Sequence, residues 1–421
     1  MRASASIALA ATLAPGLLQS PYNQHPSMRP HRHLRRRRQR RRLLSKRLAQ
    51  TGYRGHRCAR PHEPVVELDC TRAPPDARAF FDAFVRRRRP CVLRGYARTA
   101  ALGAVSDACG AADPARAWCA ALDRAAGPKV VRAEVRERGR FGRGNECQLR
   151  VRGFVAEALH RHATGGACRY YLTTQPLAED AEGRPELCGE PVRSLVRENL
   201  FPPTCPLLPS LILANANVWM GCAPAGRSTS SGLHHDFHDN VLVQVCGAKR
   251  VRMWDPSATN VLRPAGGRAR VHANGRVVYG NERVEADGRD AAAATSLDLH
   301  RALDDASDSD DCDALLDAAL ALEANHEKEP ATPLAPGPPN FATRKAPRGL
   351  PSYAACYIGP GDALYIPCGV WHEVSSGGGL HAAANYWCHP PDGASFARPY
   401  TSSFWADDWA RRRRDDPLLK T

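Results

Sequence analysis

The stretch from residue 230 to residue 256, SSGLHHDFHDNVLVQVCGAKRVRMWDP, decides the fold. Its run DNVLVQVCGAKRVRMW (239–254) is apolar and rich in β-branched residues, and it reads as strand. Side chains two apart on a strand share a face, so an extended GLHHD places His234 and Asp236 together and turns His235 away. An imidazole beside a carboxylate, completed by a distant second histidine, is the facial triad that binds non-haem Fe(II) and leaves three positions open. A His-x-Asp alone is a weak signal, because surface loops produce it often. The partner has to come from another strand, and GVWHEV supplies His372 after the turn Gly359-Pro360-Gly361-Asp362. His235, His238, His381 and His389 compete with it and read as solvent-facing or as neighbours of the ligands. His238 is the strongest rival, because it shares the parity of His234 and Asp236.

Lys249 sharpens the case. In KRVRMW it alternates with Arg250, Arg252 and Trp254 and shares a face with Val251 and Met253. Burying an ammonium without a partner costs several kcal/mol, so a bound carboxylate near a metal pocket accounts for the placement. An edge strand whose lysine snorkels to water is the bland alternative.

Working outward, short β segments precede the stretch (RYYLTTQPL, 169–177; LILANANVWMG, 211–221) and follow it (YAACYIGPGDALYIPCGVWHEV, 353–374; LHAAANYWC, 380–388). With Gly and Pro turns between them they predict a sandwich or barrel. VVELDC and RRPCVLRG read as strands, PPDARAFFDAFVRRRRP as a helix entered at proline, and CQLRVRGFV as strand-like. The class is therefore mainly β with flanking helices. Residues 1–60 form a disordered basic or targeting segment, 61–400 one domain with its core at about 165–263 and 336–392, and 401–421 a tail. The tail reads as a terminal helix that docks Trp405 and Trp409. Residues 264–335, rich in Ala, Asp and Glu, read as an acidic insertion with one helix at 314–324.

Composition excludes several classes. The net charge of +16 suggests a polyanion partner until it is located. Residues 1–60 hold fifteen Lys and Arg and no Asp or Glu, while the other 361 residues hold 44 basic and 43 acidic side chains. Nucleic acid therefore has a claim only on the N-terminal segment. The fifteen cysteines contain no Cys-x-x-Cys, which removes zinc-ribbon and thioredoxin motifs and fits a reducing compartment. No apolar run reaches the length of a membrane span. The first twenty residues read as an organellar transit peptide, with a weak secretory signal also open, and the arginines Arg35 to Arg38 and Arg40 to Arg42 resemble a nuclear localisation patch; an unconstrained terminus is the bland alternative. Nucleus and cytoplasm both stay open.

Residues 230–256, together with GPGDALYIPCGVWHEV and the NYW that follows it, resemble the two metal-binding segments of the jumonji-C (JmjC) oxygenases, a cupin-type group of double-stranded β-helix enzymes. RRPCVLRG resembles that family's N-terminal pattern and RYYLTTQPL the strand before its core. The resemblance implies a jelly-roll barrel with Fe(II) at its mouth, held by His234, Asp236 and His372. It implies that Lys249 pairs with the distal carboxylate of 2-oxoglutarate, assisted by Tyr171 and Ser231. Asn240 and Asn385 match positions lining the cosubstrate and oxygen side, and Thr173, Trp387 and His238 would face the substrate. Implied chemistry consumes 2-oxoglutarate and O2, releases succinate and CO2, and hydroxylates a substrate C–H; on an N-methyl group the product loses formaldehyde. A protein or peptide hydroxylase is the leading expectation, since no chromatin-reader or zinc module accompanies the domain. A histone lysine demethylase, a tRNA-modifying hydroxylase and a non-catalytic cupin that only binds are the alternatives. The long gap between Asp236 and His372 departs from compact members and is assigned to the acidic insertion. Oligomeric state is left open.

Overall fold

Strand β9 (Asp239–Cys246) is buried at every position, which a half-buried strand would not be. It is covered on both faces. In the computed structural model, residues 52–58, 63–136, 145–177, 179, 186–262, 264–290, 353–377 and 379–415 are described, and they form mainly β structure in mixed sheets with eight helices. A nine-stranded sheet runs in the order β2 (Val66–Asp69), β3 (Cys91–Arg94), β14 (Ala363–Ile366), β9, β16 (Gly379–Cys388), β7 (Leu213–Ala223), β6 (Tyr170–Leu172), β4 (Val130–Val135), β5 (Glu146–Arg150). A five-stranded sheet runs β1 (Glu63–Pro64), β13 (Ala354–Ile358), β10 (Lys249–Trp254), β15 (Trp371–Ser376), β8 (Thr229–His235). From β8 to β9, β9 to β10, β13 to β14, β14 to β15 and β15 to β16 the chain crosses from one sheet to the other. That antiparallel alternation is the jelly roll, and the fold class expected from the sequence is the one observed.

Two cores follow from the two faces of β9. Between the sheets lie Val92, Leu242, Leu364, Ile366 and Ala383 of the large sheet against Val251, Met253, Ala354, Cys356 and Ile358 of the small one. On the outer face of the large sheet pack the helices Ala104–Gly110, Pro114–Ala126 and Val151–Ala163, with Trp118, Leu122 and Phe154 fully buried. Each such side chain contributes about 1.5–3 kcal/mol by leaving water. The helix Pro114–Ala126 starts where the chain allows it: Asp113 accepts from the Arg116 amide and proline sits in the first turn.

Several local expectations need correction. CQLRVRGFV is strand only to Arg150, and Val151 begins a helix that buries Val151, Phe154, Val155 and Ala158. PPDARAFFDAFVRRRRP enters its helix through Asp76, whose carboxylate accepts from Ala79, and continues as a π-turn over Phe81–Val85. Order also starts before Glu63, since Tyr53 is buried against β11 (Ala269–Val271) and β12 (Val277–Tyr279). That hairpin corrects the insertion: residues 264–290 are folded and pack beside the site, whereas the helix expected at 314–324 lies outside the described residues. The tail is a helix, Phe404–Asp415, as expected. Trp405 stacks on His389 at 3.3 Å between centroids and donates to the Asp287 carbonyl, and Trp409 packs on the main core.

Candidate metal centre

His234 and His372 face each other because β8 and β15 are antiparallel neighbours in which His234 pairs with His372. Paired residues share a face. Their ring centroids are 4.4 Å apart. Strand β8 ends at His235, so Asp236 arrives by the turn into β9 rather than by continued alternation. The turn is pinned by the Gly369 amide, which donates to the Asp236 carbonyl at 2.9 Å. His234, Asp236 and His372 offer ligand atoms all within 4.8 Å of one another, with His372 Nε2 3.8 Å from Asp236 Oδ2. Donors about 2.1 Å from a shared ion lie no more than about 4.2 Å apart, so that pair suits one ion without rearrangement.

The donor set is oriented as a metal site requires. Nδ1 of His234 lies 3.1 Å from the Gly232 carbonyl and Nδ1 of His372 lies 2.9 Å from the Val370 carbonyl. A carbonyl accepts only, so both rings carry their proton on Nδ1 and present a bare Nε2 to the centre. Burial, together with the neighbouring His372, depresses the His234 pKa to about 4, which keeps that imidazole neutral. Burial works against ionising Asp236, but the two imidazoles and the Asn240 amide prevail and hold its carboxyl below the usual range. Two imidazoles with Nε2 turned inward and one carboxylate form a donor set for a dication.

The other expected residues separate into two groups. Lys249 shares the inner face of the small sheet with His372, because Met253 pairs with His372, Val251 with Val374 and Lys249 with Ser376. It is 2% exposed and donates to Ser376 Oγ at 2.9 Å. Its backbone lies four residues, about 13 Å, along the strand from the metal end, a span that a lysine side chain and a five-carbon diacid bridge together. Burial lowers its pKa to about 8. Ser231 would face away from His234 by simple alternation. A bulge at Ser231 and Gly232, opposite Val374, resets the parity, and Val374 donates to Ser231 Oγ at 3.2 Å. Tyr171 packs its ring over Gly221 and beside His381, with 6.2 Å between ring centroids.

Asn240 and Asn385 stand behind Asp236 on the large sheet. Asn240 donates to Asp236 Oδ2 at 2.8 Å, Asn385 donates to Asn240 Oδ1 at 2.9 Å, and Asn217 and Trp219 donate to Asn385 Oδ1 at 3.2 and 2.9 Å. Trp387 also donates to Asp236 Oδ2, at 3.3 Å. His238 is not a ligand candidate, because the strand that gave it parity has ended; it stacks on Trp387 at 5.8 Å. Thr173 follows β6, and its carbonyl accepts from Gln175. His235, His381 and His389 are all buried, none facing solvent, and His235 shares a 2.6 Å hydrogen bond with the Tyr279 hydroxyl of the hairpin.

Sequence reasoning missed the hub beneath the centre. Asp239, fully buried, accepts from Arg88 Nη1 at 2.8 Å, from the Tyr365 hydroxyl at 2.9 Å and from the Cys368 amide at 2.9 Å. It thereby fixes the loop that carries Gly369 and Val370, the two backbone groups that orient Asp236 and His372. Gly369, at φ 75°, has its α-hydrogen against the Gly275 carbonyl, where a Cβ would come to 1.8 Å. The only sequence hint was a second acidic residue three positions after Asp236.

Comparison with known proteins gives the family. Residues 77–394 match the cupin-like domain family. JmjC domain-containing protein 4 of Schizosaccharomyces pombe is 28% identical over 356 aligned positions, covering 62% of this chain and 73% of that protein. Lysine-specific demethylase JMJ31 of Arabidopsis thaliana is 34% identical over 94 positions, covering 22% of this chain and 15% of that protein. The jelly roll, the paired histidines at its mouth and a match running through most of the described residues lead to one assignment: the chain belongs to the cupin-like domain family, as a JmjC protein of the cupin superfamily.

Proposed function

We propose that the protein is an Fe(II)- and 2-oxoglutarate-dependent dioxygenase that hydroxylates a protein or peptide. The observation that supports the proposal is the pair of Nδ1-anchored histidines and the buried lysine on one face of the small sheet, with the Asp236 carboxylate at the turn beside them. Bound there, Fe(II) with 2-oxoglutarate and O2 would supply the oxidant that hydroxylates a C–H bond while succinate and CO2 are released. His234, Asp236 and His372 would hold the ion on one side and leave the opposite side free for exchangeable ligands. Lys249, with Ser376 as its neutral partner, would take the distal carboxylate of the cosubstrate. Tyr171, beside the His381 that neighbours Lys249, and Ser231, opposite Val374 midway along the strand, would assist it. Trp387 and His238 wall the opposite end, where an incoming side chain would be positioned, and Asn240 keeps Asp236 from rotating away. The protein's part is placement rather than proton transfer.

N-methyl-lysine demethylation is the second reading, favoured by the likeness over 94 aligned positions to an Arabidopsis protein named a lysine-specific demethylase. Both readings use the same pocket and differ in the carbon presented. The test is succinate formation by the full chain with Fe(II), 2-oxoglutarate and O2, beside a variant carrying His234→Ala and Asp236→Ala. Succinate made by the wild type and absent in the variant supports the oxygenase. Folded, iron-loaded wild type that turns over no 2-oxoglutarate with any methylated or unmethylated peptide pool sinks it.

A further inference from the structure

We propose a second metal site on this chain, a zinc-class site built from His56, Cys58 and Glu63, at the β1 edge of the small sheet, separated from His372 of β15 by β13 and β10. The three offer one nitrogen, one sulfur and one carboxylate oxygen within 4.8 Å of one another, with His56 Nε2 3.5 Å from Glu63 Oε1. None of them belongs to the triad. His56 and Cys58 come from the segment before the first strand, and Glu63 opens β1. Each end is held independently of any ion. The His56 amide donates to the Arg87 carbonyl at 3.0 Å and the Glu63 amide to the Tyr353 carbonyl at 3.0 Å, so the donors converge on a fixed frame.

The surroundings favour a cation. Asp255 lies close enough to act electrostatically on both His56 and Cys58, adding a second carboxylate. The competing positive groups are Arg88, already paired with Asp239, and Arg89. The donors line a cleft with Arg88, Met253, Trp254, Asp255 and Val370, so an ion there has a solvent-connected fourth position. Nitrogen, sulfur and carboxylate donors together select Zn2+ over Mg2+ or Ca2+, because hard ions avoid thiolate. All three are half-buried, which leaves an entry path while excluding most water. Such an ion would clamp residues 52–58 onto β1 and thus onto the sheet that carries His372.

The test uses Co(II) as the probe on the metal-free full chain. The triad has no sulfur, so an intense Co(II)–thiolate charge-transfer band reports only the second site. The expected result is two Co(II) per chain with that band, and one Co(II) without it in Cys58→Ser. Cys147→Ser, which alters the other half-buried thiol among the described residues, keeps both. The variant His234→Ala, Asp236→Ala keeps the band and loses the other ion, so failure at one site is distinguishable from failure at the other. His56→Ala should weaken the Co(II)–thiolate site at least tenfold. A single Co(II) with no thiolate band in wild type, or a band that survives Cys58→Ser, overturns the proposal. Circular dichroism of Cys58→Ser matching wild type excludes misfolding as the cause.

Discussion

The two ends of the row of polar residues on the inner face of the small sheet are finished to different degrees. At the triad end the atoms turned away from the centre have their partners: both Nδ1 atoms meet carbonyls, and Asp236 is held by Asn240 and Trp387. At the other end a lysine 2% exposed has one neutral hydroxyl, Ser376 Oγ. The triad end carries a donor set that a cation completes. The lysine end carries a net positive charge that an anion completes. Burying an unpaired ammonium costs several kcal/mol, so the lysine is retained against stability, and its placement makes sense as half of an interaction with a bound carboxylate.

Four outcomes would break or sharpen that contrast. The largest belongs to the triad: His372→Ala should abolish iron binding and lower 2-oxoglutarate turnover by about a thousandfold or more, since no other described histidine reaches the ion. Iron analysis beside a succinate assay decides it, and a variant retaining stoichiometric iron would show that His372 is not a ligand. Next comes Lys249→Met, which should raise the KM for 2-oxoglutarate about 30-fold or more, a loss of at least ~2 kcal/mol. The same change should leave the apo melting temperature unchanged or higher, because it removes a buried charge. A lower melting temperature with unchanged KM would make Lys249 structural.

Asn240→Ala comes third. It leaves every ligand in place and removes the amide that holds Asp236, so iron affinity should fall about 10- to 100-fold. Equilibrium competition with a chelator measures it, and an unchanged affinity would reduce the asparagine ladder to sheet packing. The smallest effect is on pH. Burial lowers the Lys249 pKa to about 8 in the free protein, so the ammonium is present below pH 8 and is lost above it. The groups around it stay neutral across that range: Cys246 is pushed up past the range by burial, His381 is down at about 3, and burial raises the Tyr171 phenol. The KM for 2-oxoglutarate should therefore rise above pH 8, by up to about tenfold per unit, and be flat in Lys249→Met. Identical profiles in the two proteins would remove Lys249 from cosubstrate binding.

What was legible in the sequence follows the range of the interactions. Strand alternation within KRVRMW located Lys249 beside Val251 and Met253, and the structure places it there, although Trp254 proves buried as well. His234 and Asp236 were found by a parity argument that is half right, because β8 stops at His235 and a turn delivers the carboxylate. Ser231 could be read only from resemblance: local alternation sends it to the wrong face, and the bulge that corrects it depends on pairing with a strand more than a hundred residues later. The Arg88–Asp239 pair spans 151 residues and has no local signature. The acidic composition of 264–335 masked a hairpin whose glycine turn seats against Gly369 and whose Tyr279 meets His235. Composition averages over a segment, whereas packing depends on its few apolar positions, Val271, Val277 and Tyr279.

The central claim is that one pocket holds the metal and the cosubstrate together. Calorimetric titration of 2-oxoglutarate under anaerobic conditions, with and without Mn(II) standing in for iron, tests it most directly. If the two share the pocket, metal tightens 2-oxoglutarate binding by tenfold or more, 2-oxoglutarate tightens metal binding by the same factor, and both effects vanish in His372→Ala. Equal affinity for 2-oxoglutarate with and without metal, or coupling that survives His372→Ala, would contradict the account.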